Sequence, residues 1–435
     1  MRIQQISVTG LFGIFDHVIP LNMDERITII HGPNGFGKTV MLRMLDALFN
    51  SHYLVFWTIP FTSFRVKFDN DSSLDIMANS DKSDKSKIIN NITFSFYDPN
   101  SKKVYVLLNK TTKYLDNEDH QSQDYSNLLA RLAKDYEEDI KSLKASEAKS
   151  QQESEWLENL KNNIHIRFIE SQRLLNSISD GASRLDSRSS SMSPTVSTYS
   201  NELAQLIKSK LAEYGTTSQS LDRTFPARVL QQRPSLDLTD EKLRHQLNEL
   251  EETRSRLIEV GLLDKDENSD FQIEPQAIDE STKNILSVYV EDVEKKLSVF
   301  NEIASKIDLL RRIINNKFAY SYKQMNFNKE KGFVFKTLYY PLSSNKETLS
   351  STDLSSGEQH ELVLLYELLF KVQPGSLVLI DEPELSLHVG WQSQFLKDLQ
   401  EITKLVSIDI LMATHSPDII QDRWDLTVEL KGLPK

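Results

Sequence analysis

The octapeptide Gly32-Pro33-Asn34-Gly35-Phe36-Gly37-Lys38-Thr39 constrains this chain more than any other segment. It satisfies the spacing G-x-x-x-x-G-K-[S/T] between a short apolar run, Ile27–His31, and a stretch where Val40, Met41, Met44, Leu45, Leu48 and Phe49 recur at three- and four-residue intervals. That pattern predicts a strand, a glycine loop and a helix with one face packed on a sheet. Each fixed position has a physical task. The glycines allow a nest of backbone N–H groups, and the helix adds the positive end of its dipole. Lys38 brings a point charge, and the Thr39 hydroxyl suits Mg²⁺. A glycine-rich turn before an ordinary helix is the bland alternative, and the strand and helix on either side weigh against it.

A second segment supplies what a bound phosphate requires for reaction. The run Ser376-Leu377-Val378-Leu379-Ile380-Asp381-Glu382 reads as an apolar strand ending in two carboxylates. Phosphoryl transfer asks a protein mainly to position groups and neutralise charge, so Asp381 suits the Mg²⁺ shell and Glu382 the attacking water. A helix-capping acidic pair before Pro383 is the alternative. A third segment, Leu354-Ser355-Ser356-Gly357-Glu358-Gln359-His360, precedes an apolar helix. It reads either as a second anion-binding helix start or as a serine-capped helix.

Composition removes whole classes of function. With 51 Lys plus Arg against 63 Asp plus Glu, the net charge is −12, so any nucleic-acid site has to be a local patch. Zero cysteines exclude disulfides, thiol nucleophiles, zinc knuckles and iron–sulfur clusters, and fit a reducing compartment. No apolar run approaches the about 18 residues of a membrane span. Met1-Arg2-Ile3-Gln4-Gln5 lacks the apolar core of a signal peptide, so the expected location is cytoplasmic, without a membrane.

The remaining pattern suggests a split α/β domain. Residues 2–9, 17–21, 63–68, 92–97 and 103–109 read as strands. The region near 114–163, rich in Glu, Lys and Gln, reads as a helical insertion. Residues 164–169 return to strand character, and the serine-rich run 187–200 reads as a loop. Leu243, Leu247, Leu250 and Leu257 fit one heptad series. Leu286, Val290, Val293, Leu297, Phe300, Ala304 and Ile307 fit another, with an arm of about 30 residues. An antiparallel coiled-coil hairpin is the economical model; two ordinary bundle helices are the alternative. After Phe318, strands at 319–327 and 333–338 lead to a helix from about Gly357 and strands at 377–380 and 408–413. The expected divisions are 1–115 (N-terminal lobe of a head), 116–163 (insertion), 164–175 (a returning strand), 176–317 (helices) and 318–435 (C-terminal lobe).

Taken in order, the phosphate loop, the Leu-Ser-Ser-Gly-Glu segment, the Asp-Glu strand and Thr414-His415-Ser416 resemble the ATP-binding-cassette ATPases. The resemblance covers about half the chain. It implies an α/β P-loop head split by a long helical insertion, with ATP and Mg²⁺ as cofactors and ATP hydrolysis as the activity. It also implies a head-to-tail homodimer or higher homo-oligomer in which Ser355, Ser356 and Gly357, followed by Glu358, act on the nucleotide held by the other copy. His415 would be the switch histidine that meets the γ-phosphate, although a histidine at a strand end is by itself a structural residue as readily. Gln172, in Glu170-Ser171-Gln172-Arg173, would link Mg²⁺ to the helical lobe.

Two departures stand out: Ser-Ser-Gly-Glu where transporters have Ser-Gly-Gly-Gln, and Pro383-Glu384-Leu385-Ser386-Leu387-His388 in place of the usual D-loop. Both look like the subgroup of the overcoming-lysogenisation-defect ATPases, alongside RecF and SMC proteins. Phe12 and Phe15 are candidates to stack on adenine or else core residues. Arg184, Arg188, Arg228 and Arg233 mark a phosphate-tracking surface or a solvated mixed-charge face.

Gly32 and Leu354 stand 322 positions apart, unlike a compact transporter subunit, and with 20 residues after His415 the expectation is that any nuclease is a separate chain rather than a fused Toprim domain. The plan resembles the standalone ATPase subunits of bacterial antiphage systems of the PARIS or Septu type. That resemblance implies a sensor and scaffold holding a separately encoded effector nuclease, Toprim- or HNH-like, with a phage protein as trigger. A RecF- or SMC-like DNA-clamping ATPase is the competing reading.

Overall fold

Five short segments pair side by side in parallel, and their order decides where chemistry can lie. The computed structural model describes residues 1–79, 91–99, 103–110, 150–169, 175–176, 193–231, 239–265, 279–338, 348–385 and 387–432. The chain divides into two compact units, Met1–Ser171 with Lys371–Lys435, and Gln172–Phe370. These limits differ from the divisions expected from sequence: residues 318–370 group with the helices rather than with the rest of the C-terminal lobe.

In the first unit, β3 (Ile27–His31), β8 (Ile166–Ile169), β14 (Leu377–Asp381), β15 (Asp409–Ala413) and β16 (Thr427–Glu429) form a parallel sheet in the order β16-β3-β15-β14-β8. All five residues of β14 are buried, as a strand covered on both faces requires. A second, antiparallel sheet has the order β2-β1-β4-β5-β6-β7, from β1 (Ile3–Leu11), β2 (Phe15–Pro20), β4 (Ser63–Phe68), β5 (Ser73–Asn79), β6 (Asn91–Asp98) and β7 (Lys103–Lys110). Strand β4 alternates in burial, with Phe64, Val66 and Phe68 inside.

Helix α1 (Lys38–Phe49) buries Met41, Leu42, Met44, Leu45, Ala47 and Leu48 in one core with both sheets. At about 1.5–3 kcal/mol per large apolar side chain, that contact anchors the loop preceding the helix. Within the insertion, α2 (Ser150–Asn162) is helical as expected, and residues 116–149 lie outside the described residues. Strands β5 and β16 were not expected; β5 shows the usual alternation, with Leu74 and Ile76 buried.

The second unit is built on α3 (Thr195–Gln231), α4 (Asp240–Glu259), α5 (Glu280–Ser298), α6 (Asn301–Phe318) and α7 (Ser356–Tyr366). Two small sheets accompany them: β9 (Leu175–Asn176) with β10 (Ser193–Pro194), and β11 (Lys323–Asn328), β12 (Gly332–Thr337) and β13 (Thr348–Leu349). The expected antiparallel hairpin of the two heptad segments is not what forms. Asp240 and Lys283, in the first turns of α4 and α5, pair at 2.8 Å, while Arg256 and Glu259 at the end of α4 meet Asp308 and Arg311 of α6. So α4 runs parallel to the α5–α6 path.

The antiparallel partner is α3. Asp222 pairs with Lys296, Arg228 with Asp292, and Tyr214 packs on Phe300, so numbers rise on one helix as they fall on the other. The second heptad series also breaks between Ser298 and Asn301, where Phe300 is fully buried. The arm is therefore two helices of 19 and 18 residues, whereas α3 has 37.

The serine-rich run is likewise not a loop throughout, because α3 begins at Thr195. Ser200 is buried there and serves as a bridge, donating to the Lys331 carbonyl at 2.7 Å and accepting the Phe333 N–H at 2.8 Å. The approach is so close that Gly332, at φ +71°, is required: a Cβ would stand 1.9 Å from the Ser200 carbonyl oxygen. Residues 319–321 form a helical turn rather than a strand, ended by Tyr322 at φ +52° before β11. No helix among the described residues is long and apolar enough to cross a membrane.

Candidate functional site

The parallel sheet delivers three chain segments from adjacent strand ends: the loop 32–37 from β3, Thr414-His415 from β15, and Asp381-Glu382 from β14. Because β15 lies between β3 and β14, the His415 turn emerges between the phosphate loop and the two carboxylates. Ligands of open parallel sheets bind at such carboxyl ends.

The loop's glycines answer to local constraints. Gly32, Gly35 and Gly37 have φ of +151°, +83° and +87°, and a Cβ on Gly37 would stand 2.5 Å from Leu11 Cδ2. Lys38 is 5 % exposed and folds back over the loop, donating to the carbonyls of Gly32 at 2.8 Å and Pro33 at 3.0 Å. Burial lowers its pKa, opposed by the charges of Glu382, Asp381 and Glu384. The Thr39 hydroxyl donates to Asp381 Oδ1 at 3.0 Å. Burial holds the Asp381 carboxyl above its ordinary range, the Thr39 bond lowers it and the neighbouring Glu382 charge raises it further.

Glu382 adopts φ +44°, a left-handed conformation that costs a side-chain-bearing residue about 1–3 kcal/mol. Its N–H donates to the Ala413 carbonyl at 2.9 Å, and its Oε1 lies 3.9 Å from His415 Nε2, both side chains about one-third exposed. Lys38, Thr39, Asp381, Glu382 and His415 are thus gathered in one unit.

A hydroxyl and a carboxylate already 3.0 Å apart are hard oxygen donors that fit Mg²⁺, which takes few protein ligands and completes its shell with phosphate and water. No cluster of three or more His, Asp or Glu side chains able to hold a metal occurs among the described residues.

The other expected site residues divide. Ser355 caps α7 in a reciprocal box: its hydroxyl accepts the Glu358 N–H at 3.4 Å, and Glu358 Oε2 accepts the Ser355 N–H at 2.8 Å. Ser355 and Ser356 are exposed, whereas Glu358 is buried and turned to Lys323 at 2.7 Å and Ser321 at 2.7 Å. The segment thus starts its helix with a serine cap. It belongs to the second unit, with Ser356 and Gly357 in the first turn of α7. Gln172 lies outside the described residues, as do Arg184, Arg188 and Arg233. Arg228 pairs with buried Asp292 between α3 and α5, which is a helix contact.

Sequence reasoning passed over His17 and Glu384 here, and left Phe12 and Phe15 open. His17 bonds the Phe36 carbonyl through Nε2 at 2.9 Å; a carbonyl only accepts, so Nε2 carries the proton, and burial lowers the pKa of the ring. Phe15, half-buried, packs between His17 and Phe36 at ring separations of 5.6 and 5.0 Å and so supports the loop. Phe12 is 39 % exposed beside Gly37 and is the more accessible of the two. Glu384 accepts the Thr414 hydroxyl at 2.8 Å and the His415 N–H at 2.7 Å.

A family model described as AAA ATPase domain matches residues 1–420. No curated protein matches the chain. Among solved structures it is similar to an Smc head domain with an extended coiled coil, bound to the C-terminal domain of ScpA, from Pyrococcus furiosus. That pair is 13% identical over 99% of this chain and 94% of the other, with a TM-score of 0.33. It is similar also to the SMC head domain from Thermotoga maritima, at 10% identity over 97% and 92% with a TM-score of 0.33. An SmcHead bound to the C-winged helix domain of ScpA matches at 11% identity over 97% and 91%, with a TM-score of 0.35. By the match to residues 1–420, the chain belongs to the AAA ATPase domain family.

Proposed function

We propose that this member of the AAA ATPase domain family is a Mg²⁺-dependent ATP hydrolase that uses nucleotide to close a head-to-tail pair of copies. The observation that carries the reading is the convergence of Lys38, Thr39, Asp381, Glu382 and His415 at the ends of three adjacent parallel strands. In this account the amides of 32–39 and Lys38 hold the phosphates, the ammonium exchanging its two carbonyl partners for phosphate oxygens. Thr39 and Asp381 would hold Mg²⁺, which would supply neutralisation of phosphate charge. Glu382 orients and deprotonates the attacking water, and His415 lies on the side of the transferred phosphoryl group. Ser355, Ser356 and Gly357 would serve the nucleotide of the second copy, and Gln172 would link Mg²⁺ to the helical lobe.

The closure has a use beyond turnover. The motif set and the long helical region support a cytoplasmic sensor and scaffold of an antiphage complex that holds a separately encoded effector nuclease and frees or activates it upon infection. The test is native mass of the chain co-expressed with its neighbouring genes, wild type against Glu382→Gln, with and without ATP and Mg²⁺. A second chain retained in a defined ATP-dependent assembly is the expected result. An ATP-dependent pair that recovers DNA alone would overturn the scaffold role in favour of a DNA-clamping ATPase.

A further inference from the structure

Glu384 has no role in the chemistry above, yet its carboxylate lies within the same turn. It stands on the helical turn Pro383–Leu385 that follows Asp381-Glu382, and it spans to the end of the neighbouring strand β15. Its two oxygens are divided between consecutive residues: Oε2 accepts the Thr414 hydroxyl at 2.8 Å and Oε1 the His415 backbone N–H at 2.7 Å. Thr414 is fully buried and its own N–H is bonded to Ile30 of β3, so the carboxylate takes over where the sheet ladder stops.

The Thr414 hydroxyl also accepts the Ser416 N–H at 3.0 Å, and the Ser416 hydroxyl bonds Gln392 Oε1 at 2.6 Å. Three successive residues of the turn are therefore held by polar partners, and Glu384 bonds both Thr414 and His415, the two that set the direction of the His415 side chain.

The electrostatics argue that this carboxylate is present for its bonds. A third negative charge beside Asp381 and Glu382 is unfavourable, and two short charge-assisted hydrogen bonds offset that. The opposite end of the same turn is fixed as well, by the Glu382 N–H on Ala413 and by the left-handed backbone of Glu382. Both partners of the 3.9 Å Glu382–His415 approach are thus tied to one staple between β14 and β15.

We infer that Glu384 is a positioning residue that holds the His415 turn against Glu382, and so acts on turnover through His415 rather than on nucleotide affinity. The inference rests on the ATPase reading above. It is tested by steady-state ATP hydrolysis of Glu384→Ala, Glu384→Gln and Thr414→Val, alone and combined with His415→Ala, with thermal midpoints recorded alongside.

The expected result is a fall in kcat of about 10- to 100-fold for Glu384→Ala with KM within about twofold, the size of effect a displaced catalytic group produces. Glu384→Gln, which keeps one acceptor, and Thr414→Val fall between it and wild type, and stay informative where the alanine variant folds poorly. In the His415→Ala background, Glu384→Ala causes no further loss, because the two act as one unit. A Glu384→Ala rate equal to wild type, or a loss that multiplies in full upon that of His415→Ala, overturns the inference while wild-type turnover leaves the ATPase reading intact. Absence of turnover in the wild type overturns the ATPase reading and this inference with it.

Discussion

Gly37 sits at φ +87° with Leu11 Cδ2 2.5 Å from the place its Cβ would occupy, so an added methyl meets both backbone strain and a buried neighbour. Leu11 is fully buried in the core shared with α1 and has little room to retreat. Gly37→Ala is expected to cost about 1–3 kcal/mol of local strain and to weaken nucleotide binding by at least about tenfold, read by titration calorimetry with ATP; unchanged affinity would contradict it. The residues that chemistry requires at fixed spacing, Gly32 to Thr39, Asp381 and Glu382, were legible from sequence because the motif states the spacing. Glu384 and His17 were not, since their partners lie 30 and 19 residues away, at distances no local pattern records. Phe15 against Phe36 was undecidable for the same reason: both rings meet only once β2 and the loop are folded.

Helix existence was legible in the heptads, and helix partnership was not. Leu243, Leu247 and Val290 do cluster, with Leu250, Leu286 and Tyr289 around them, but the same apolar stripe serves a parallel or an antiparallel neighbour. Direction came from ions and from a third helix, α3, whose Ser/Thr-rich start resembled a loop. The cysteine-free chain makes the direction testable. With cysteines at 240 and 283, a short bis-maleimide should link the helix starts, whereas cysteines at 240 and 296 should stay unlinked; the reverse outcome would restore the hairpin.

Helix α7 makes a second element-scale prediction. Its Glu361 is buried against Lys317 of α6, both almost wholly inaccessible. Removing one partner strands a charge, so Lys317→Met should destabilise by about 3–5 kcal/mol in denaturant unfolding, and the double variant with Glu361→Leu should recover most of that. Equal losses in single and double variants would contradict it.

At the scale of the molecule, the chain is an ATPase-domain protein of two compact units, with phosphate loop, carboxylates and histidine in one and the Ser355–Gly357 segment in the other. The net charge of −12 sets the account apart from a chain that coats nucleic acid. The split α/β plan was legible because apolar strands and amphipathic helices alternate along the sequence. The grouping of 318–370 with the helices was not, since it depends on tertiary packing alone.

The most direct measurement is Mg²⁺-dependent phosphate release from ATP by wild type and Glu382→Gln, with ATP binding measured on both. The account predicts turnover in the wild type that stops when Mg²⁺ is chelated, and a Glu382→Gln chain that binds ATP with near-wild-type affinity while releasing phosphate about 10²- to 10⁴-fold more slowly. Equal turnover in the two chains, or none in either, would contradict it.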